Sequence, residues 1–255
     1  MNPSELRSTL ALAGIFGLRM LGLFLLLPVF SIHAKDLPGG DQALLIGLAL
    51  GIFNIVQACF HIPLGRLSDR IGRKKVVLWG LSLFVAGALI CAAKDDLLWI
   101  SIGRGIMGAG AISAAVSAWV ADLTREQVRT RAMALVGGSI ALSFALSLVI
   151  AAPIYRVISL SGMFVVLAIL GVIAMVVTYY VLPSTHPEVQ VQQASLREVF
   201  FRPELMRLNV GVFVLNATQV AMFLVVPHLL VQAGLPLASH WEIYLPVVLL
   251  SFFFM

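Results

Sequence analysis

Charge is scarce in this chain. Asp, Glu, Lys and Arg make up 11% of its 255 residues, where soluble domains carry about 25%. Hydrophobic residues reach 60%, and the mean hydropathy is +1.02. A water-soluble fold of this length cannot hide so much apolar side chain. That excludes an ordinary soluble enzyme or binding domain. Cysteine is nearly absent. Cys59 and Cys91 both lie in apolar runs, so a disulfide scaffold is excluded and both thiols are expected to be reduced and buried. Period-two alternation is missing and the apolar runs are too long for barrel strands, which excludes a transmembrane barrel. No Asp or Glu falls in the middle of any complete apolar run.

Long apolar runs dominate instead. A bilayer crossing needs about 20 mostly apolar residues. Complete runs cover 10–31, 43–64, 76–93, 97–123, 132–157, 162–182 and 208–232, and an eighth begins near Trp241. The first run already begins near Leu10 and is long enough to cross, so it reads as a span rather than a cleaved leader. The fold class is therefore an all-α polytopic membrane protein. Six spans precede the longest connector. The organisation expected is a six-helix bundle over 1–182, a linker over 183–207 and the start of a second bundle over 208–255. In the linker, Leu196, Val199, Phe200 and Leu205 line one face either of a short helix on the membrane surface or of a plain solvated connector.

The basic residues are distributed unevenly. Arg7, Arg66, Arg70, Arg73, Lys74, Lys75, Arg125, Arg129, Arg131, Arg197, Arg202 and Arg207 fall on one side, twelve in all. Lys35, Lys94 and Arg156 fall on the other, three in all. Cytoplasmic loops carry the excess of Lys and Arg, which puts the amino terminus in the cytoplasm. The same pattern accounts for the net charge of +5 without nucleic acid.

Gly65 to Lys75 reads "GRLSDRIGRKK", a crowded cytoplasmic loop punctuated by Gly65 and Gly72. Asp69 is read as a carboxylate near a helix start, able to accept backbone N–H bonds. The glycines are read as allowing a tight turn and close helix approach. Arg19 and Arg104 lie inside spans, roughly 13 Å and roughly 10 Å from a span end by helical rise. Both are read as facing a cavity on the substrate path, with snorkelling to the interface as the alternative. Asn54, Gln57 and His61 share one face of the second span. His61 either packs as a satisfied polar group or carries a proton. Asn216 and Gln219 form a similar face on the seventh span. Ser139, Ser143 and Ser147 make a stripe suited to helix contact, and Gly47 and Gly51 form a G-x-x-x-G that reads as packing. Gly103, Gly105 and Gly108 spell a dinucleotide fingerprint, but no strand precedes them and no acidic residue follows at the required distance. No nucleophile–base pair, metal cluster or phosphate loop is visible, so no enzyme activity, cofactor or metal is expected.

The stretch "GRLSDRIGRKKVVL" resembles the signature G-x-L-x-D-R-x-G-R-K of the major facilitator superfamily, at Gly65, Leu67, Asp69, Arg70, Gly72, Arg73 and Lys74. "GRGIMGAGA" is similar to the Arg-bearing motif of that family's fourth helix, with Met107 where glutamine is usual. Together with "LRMLGLFLLLPV" and "ADLTREQVRT", it resembles the family's bacterial drug:proton antiporters, except that "IAAPIY" has Ala152 where a glycine normally precedes the proline. The resemblance implies twelve helices in two halves with a substrate path between them. It implies that Asp69 caps a helix of the opposite half as a latch for the outward-open form, with Arg73 paired to Asp122. It further implies a multi-pass transporter of the bacterial cytoplasmic membrane, monomeric at full length, exporting a small molecule in exchange for protons. A chain that truly ends at Met255 would instead be a non-transporting fragment or an assembly partner.

Overall fold

The computed structural model describes residues 1–184, 202–236 and 239–254. Leu196, Val199 and Phe200 lie outside the described residues. Among those described there are helices and no strand. In chain order they are α1 (Pro3–His33), α2 (Ala43–Ile71), α3 (Arg73–Ala93), α4 (Leu97–Ala109), α5 (Ser113–Leu123), α6 (Glu126–Val181), α7 (Pro203–Gln232) and α8 (Trp241–Phe254). A single 3₁₀ turn, Ala34–Asp36, follows α1. The outer surface is apolar along the crossing helices: Leu44 is 82% exposed, Leu142 70% and Val157 84%. Patches of this size mark contact with lipid rather than water.

Local chemistry sets the helix ends. Pro3 occupies the first turn of α1, where its missing N–H costs nothing. The Glu5 carboxylate accepts from the backbone N–H of Asn2 at 2.6 Å and from Arg125 Nε at 2.9 Å, tying the chain start to the α5–α6 junction. The hydrogen bond to Glu5 holds the Arg125 guanidinium above its ordinary pKa. Asp96 caps α4 by accepting from the N–H groups of Leu98 and Trp99, at 2.8 and 3.3 Å.

Helix α6 is two arms joined at Ser159, whose φ of 60° breaks the helix. In the first arm, Ser143 Oγ donates to the Gly17 carbonyl at 2.8 Å, and the Tyr155 hydroxyl hydrogen-bonds His33 Nδ1 at 2.7 Å. This arm therefore runs alongside α1 in the same direction. The second arm starts where Ser161 donates to Asp95 and ends where Lys74 Nζ donates to the carbonyls of Tyr179 and Leu182, at 2.7 and 2.8 Å. It therefore runs back. The arms correspond to the expected fifth and sixth spans, so six membrane-length segments precede residue 185.

Two apolar clusters stack along the bundle. One contains Phe30, Phe84, Phe164 and Met107. The other contains Leu12, Val77, Trp119 and Val120. A third, smaller cluster of Leu148, Phe223 and Tyr244 joins α6 to α7 and α8.

Several expectations are corrected. Helix α2 does not stop at residue 64 but runs on to Ile71, and α3 begins at Arg73. The "loop" from Gly65 to Lys75 is thus two helix ends joined by Gly72 alone. Gly72 takes φ +99°, open to glycine and strained for other residues. Gly65 is inside α2, where an added Cβ would meet only ordinary contact with Ala114. The fourth span breaks at Gly110–Ile112 into α4 and α5. Helix α7 begins five residues before the expected span, and Leu205 within it is exposed. Cys59 is exposed; Cys91 is buried. A Cβ added at Gly47 or Gly51 would have nothing within 4 Å, so their G-x-x-x-G is not a packing motif here. Close helix approach falls elsewhere. Gly80 meets Gly110, and Gly87 meets Gly103, across the antiparallel α3–α4 pair. Each pair leaves backbone against backbone with no room for a side chain.

Candidate functional site

A cavity of about 560 Å³ lies between the six-segment bundle and α7. Helix α1 contributes Met20, Leu23, Phe24 and Leu27, and α2 contributes Phe53, Asn54 and Gln57. Arg104 comes from α4; Gly137, Ile140, Ala141 and Phe144 come from the first arm of α6. Helix α7 closes the ring with Leu215, Asn216, Gln219 and Val220. Most of the wall is apolar. Its polar groups are four carboxamides and one guanidinium.

Arg104 is 3% exposed. Its Nη2 donates to the Leu50 carbonyl at 3.3 Å. Its guanidinium lies 5.5 Å from the Phe30 ring centre and 5.9 Å from that of Phe53, within range of cation–π attraction. Its Nε and Nη1 have no hydrogen-bond partner among the described residues. Snorkelling is thereby excluded for this side chain, which points into the bundle.

Arg19 corrects the expectation of a cavity-facing side chain: it is 1% exposed and does not line the cavity. Its Nη2 donates to the Gly110 carbonyl at 3.3 Å, at the break between α4 and α5. A broken helix leaves carbonyls without an internal partner, and Arg19 supplies one. Its guanidinium is 5.7 Å from the Phe84 ring centre and 5.9 Å from that of Phe53. Phe53 therefore serves both buried cations.

Of the polar face predicted on the second span, Asn54 and Gln57 line the cavity, while His61 sits half-buried beyond it. Asn216 and Gln219 face them from α7, and Asn216 Nδ2 donates to the Val212 carbonyl at 2.9 Å. The serine stripe divides: Ser143 bonds α1, while Ser139 and Ser147 bond carbonyls of their own helix.

The charged cluster forms at the bundle end that holds the amino terminus. Arg73 donates through Nε to Asp122 at 2.9 Å and through Nη1 to Ser68 at 2.6 Å and to Asp69. Ser68 in turn donates to the Gly65 carbonyl at 2.6 Å. Asp69 lies in the last turn of α2, so it is not at a helix start of its own chain; its partner is Arg73, four residues on. Leu67 packs on the second apolar cluster, Arg70 is exposed, and Lys74 caps the end of α6. Among the described residues no group of His, Cys, Asp and Glu could hold a metal ion.

Sequence reasoning missed the aromatic part of the cavity. Phe24 and Phe144 meet edge to face at 5.0 Å, and Phe144 continues to Phe223 at 5.9 Å. Nothing in the local sequence distinguishes these from other apolar residues of their helices.

Comparison with known proteins gives a consistent answer. The family model described as Major Facilitator Superfamily matches residues 12–255. The chain is 42% identical over 257 residues to the inner membrane transport protein YajR of Escherichia coli (strain K12), covering 99% of this chain and 56% of that one. It is 35% identical over 112 residues to the class D tetracycline resistance protein of Salmonella ordonez, covering 43% of this chain and 28% of the other. The fold matches a bacterial homologue of the human lysosomal transporter Spinster in its inward-facing, unoccupied conformation. The TM-score is 0.76 at 13% identity, over 97% of this chain and 60% of that one. The chain thus spans little more than half the length of these matches where it is itself almost fully covered.

Proposed function

The chain belongs to the major facilitator superfamily of membrane transporters, and on that premise we propose that it forms the first half and the opening of the second half of a proton-coupled exporter. The substrate path is the cavity lined by Asn54, Gln57 and Arg104 on one side and Asn216 and Gln219 on the other. The observation that carries this reading is that one cavity is walled by both the six-segment bundle and α7. A midplane cavity shared by two bundles is what rocking between inward and outward states requires. The Gly65–Lys74 motif with Asp122 acts as the conformational latch, on the cytoplasmic side of a bacterial inner membrane. Arginine keeps its proton in such sites, so Arg19 and Arg104 do not carry the coupling proton. His61, four residues past the cavity-lining Gln57 on α2, is the candidate proton carrier. The full-length protein works as a monomer.

Export is tested in cells depleted of their own exporters. Expression should lower the accumulation of at least one compound in a panel of amphiphilic growth inhibitors, and a protonophore should restore it. If accumulation never falls, or falls equally with the protonophore, proton-coupled export is wrong.

A further inference from the structure

Two guanidiniums, Arg19 and Arg104, are buried within reach of one aromatic ring, Phe53. Among the described residues no acidic side chain lines the cavity beside Arg104. Each charge is partnered by a single backbone carbonyl. A carbonyl dipole and a ring face do not neutralise a cation held away from water. Of the two, Arg104 is the one that lines the cavity, and two of its three nitrogens have no partner among the described residues. The nearby carboxamides offer further N–H donors at the same level. The remaining wall, including Phe24, Phe53 and Phe144, is aromatic and aliphatic.

We propose that the cavity binds an organic anion, with its carboxylate or equivalent anionic head on Arg104 and its apolar, ring-sized body against Phe24, Phe53 and Phe144. This deepens the transporter reading by naming the substrate class, and rests on it only for the cavity's role as the path. The volume of about 560 Å³ suits one small organic molecule. The planar fork of arginine matches a carboxylate in two-point contact. The surrounding low dielectric strengthens that contact and penalises a cationic head equally strongly.

The experiment uses purified full-length protein in phosphatidylcholine nanodiscs and three probes of one shape: naphthylacetate, naphthylacetamide and naphthylethylammonium. Binding is read by titration calorimetry. Naphthylacetate should bind about tenfold or more tightly than either of the others. Arg104→Met should erase the preference of carboxylate over amide, and Arg104→Lys should keep part of it. Equal binding of acetate and amide by the unsubstituted protein overturns the assignment, and that comparison needs no variant to fold. So does tighter binding of the ammonium, failure of all three to bind, or a preference that survives Arg104→Met. Adding phosphatidylglycerol to the discs should leave the naphthylacetate affinity unchanged; displacement would give the head site to a lipid headgroup instead. Anion binding without export in cells would sink the exporter reading alone. Export of cations without anion binding would sink this one alone.

Discussion

Lys35 Nζ lies 3.2 Å from His228 Nε2 and joins the far end of α1 to the far end of α7. Gln232 Nε2 reaches the same ring nitrogen at 3.2 Å. Just inside, the aromatic chain Phe24–Phe144–Phe223–Tyr244 links α1, α6, α7 and α8. Together these join α1, α6, α7 and α8 at the end opposite the Arg73 cluster.

Breaking the Lys35–His228 contact should therefore loosen that end. A hydrogen bond of this kind contributes about 0.5–1.5 kcal/mol, which shifts an open–closed population roughly two- to tenfold. His228→Ala should raise the reaction of a single cysteine at Leu230 with an impermeant maleimide by that factor. An unchanged labelling rate would show that the aromatic chain alone holds that end together.

Arg73 has three side-chain partners, Asp122, Ser68 and Asp69, so Asp69 is one of three anchors for it. Arg73→Ala should lower transport by the full-length protein more than Asp69→Asn does, and both should lower it more than they lower expression. The half-exposed Asp69 pair contributes only about 0.2–1 kcal/mol by itself, so thermal stability should barely move in Asp69→Asn. Normal transport in vesicles at matched protein level would reduce the cluster to an orientation signal.

The Ile71 end of α2 and the segment before α2 lie at opposite ends of the bundle. Single cysteines at positions 71 and 38 should behave oppositely in intact cells, with only position 38 reacting with an impermeant reagent. Comparable labelling at both would overturn the orientation drawn from the twelve-to-three charge distribution.

Gly87 and Gly103 touch backbone to backbone. Gly87→Val should destabilise the protein by about 1–3 kcal/mol through overpacking, seen as a lower unfolding temperature in detergent. Gly47→Ala and Gly51→Ala meet open space and should leave it unchanged. If Gly51→Ala were the more damaging change, the α3–α4 interface would be misassigned.

Much of the fold is legible in the sequence because the bilayer imposes it. Apolar length marks each crossing, and the break at Ser159 falls in the interval between the fifth and sixth runs. The family motif marks the Arg73 cluster except for Asp122, since the other members are neighbours along the chain. What the sequence does not reveal depends on contact between distant segments. "GRGIMGAG" reads as one uninterrupted span, yet it breaks at Gly110, where Gly80 presses close and Arg19 takes the freed carbonyl. Gly47 and Gly51 carry the packing pattern without the packing, because a glycine's role depends on what faces it. Arg19 and Arg104 look alike in sequence, two costly cations in apolar runs. Tertiary structure alone separates them, turning one toward a broken helix end and the other into the cavity, because burial and partner are properties of neighbouring helices and not of the helix that bears the charge.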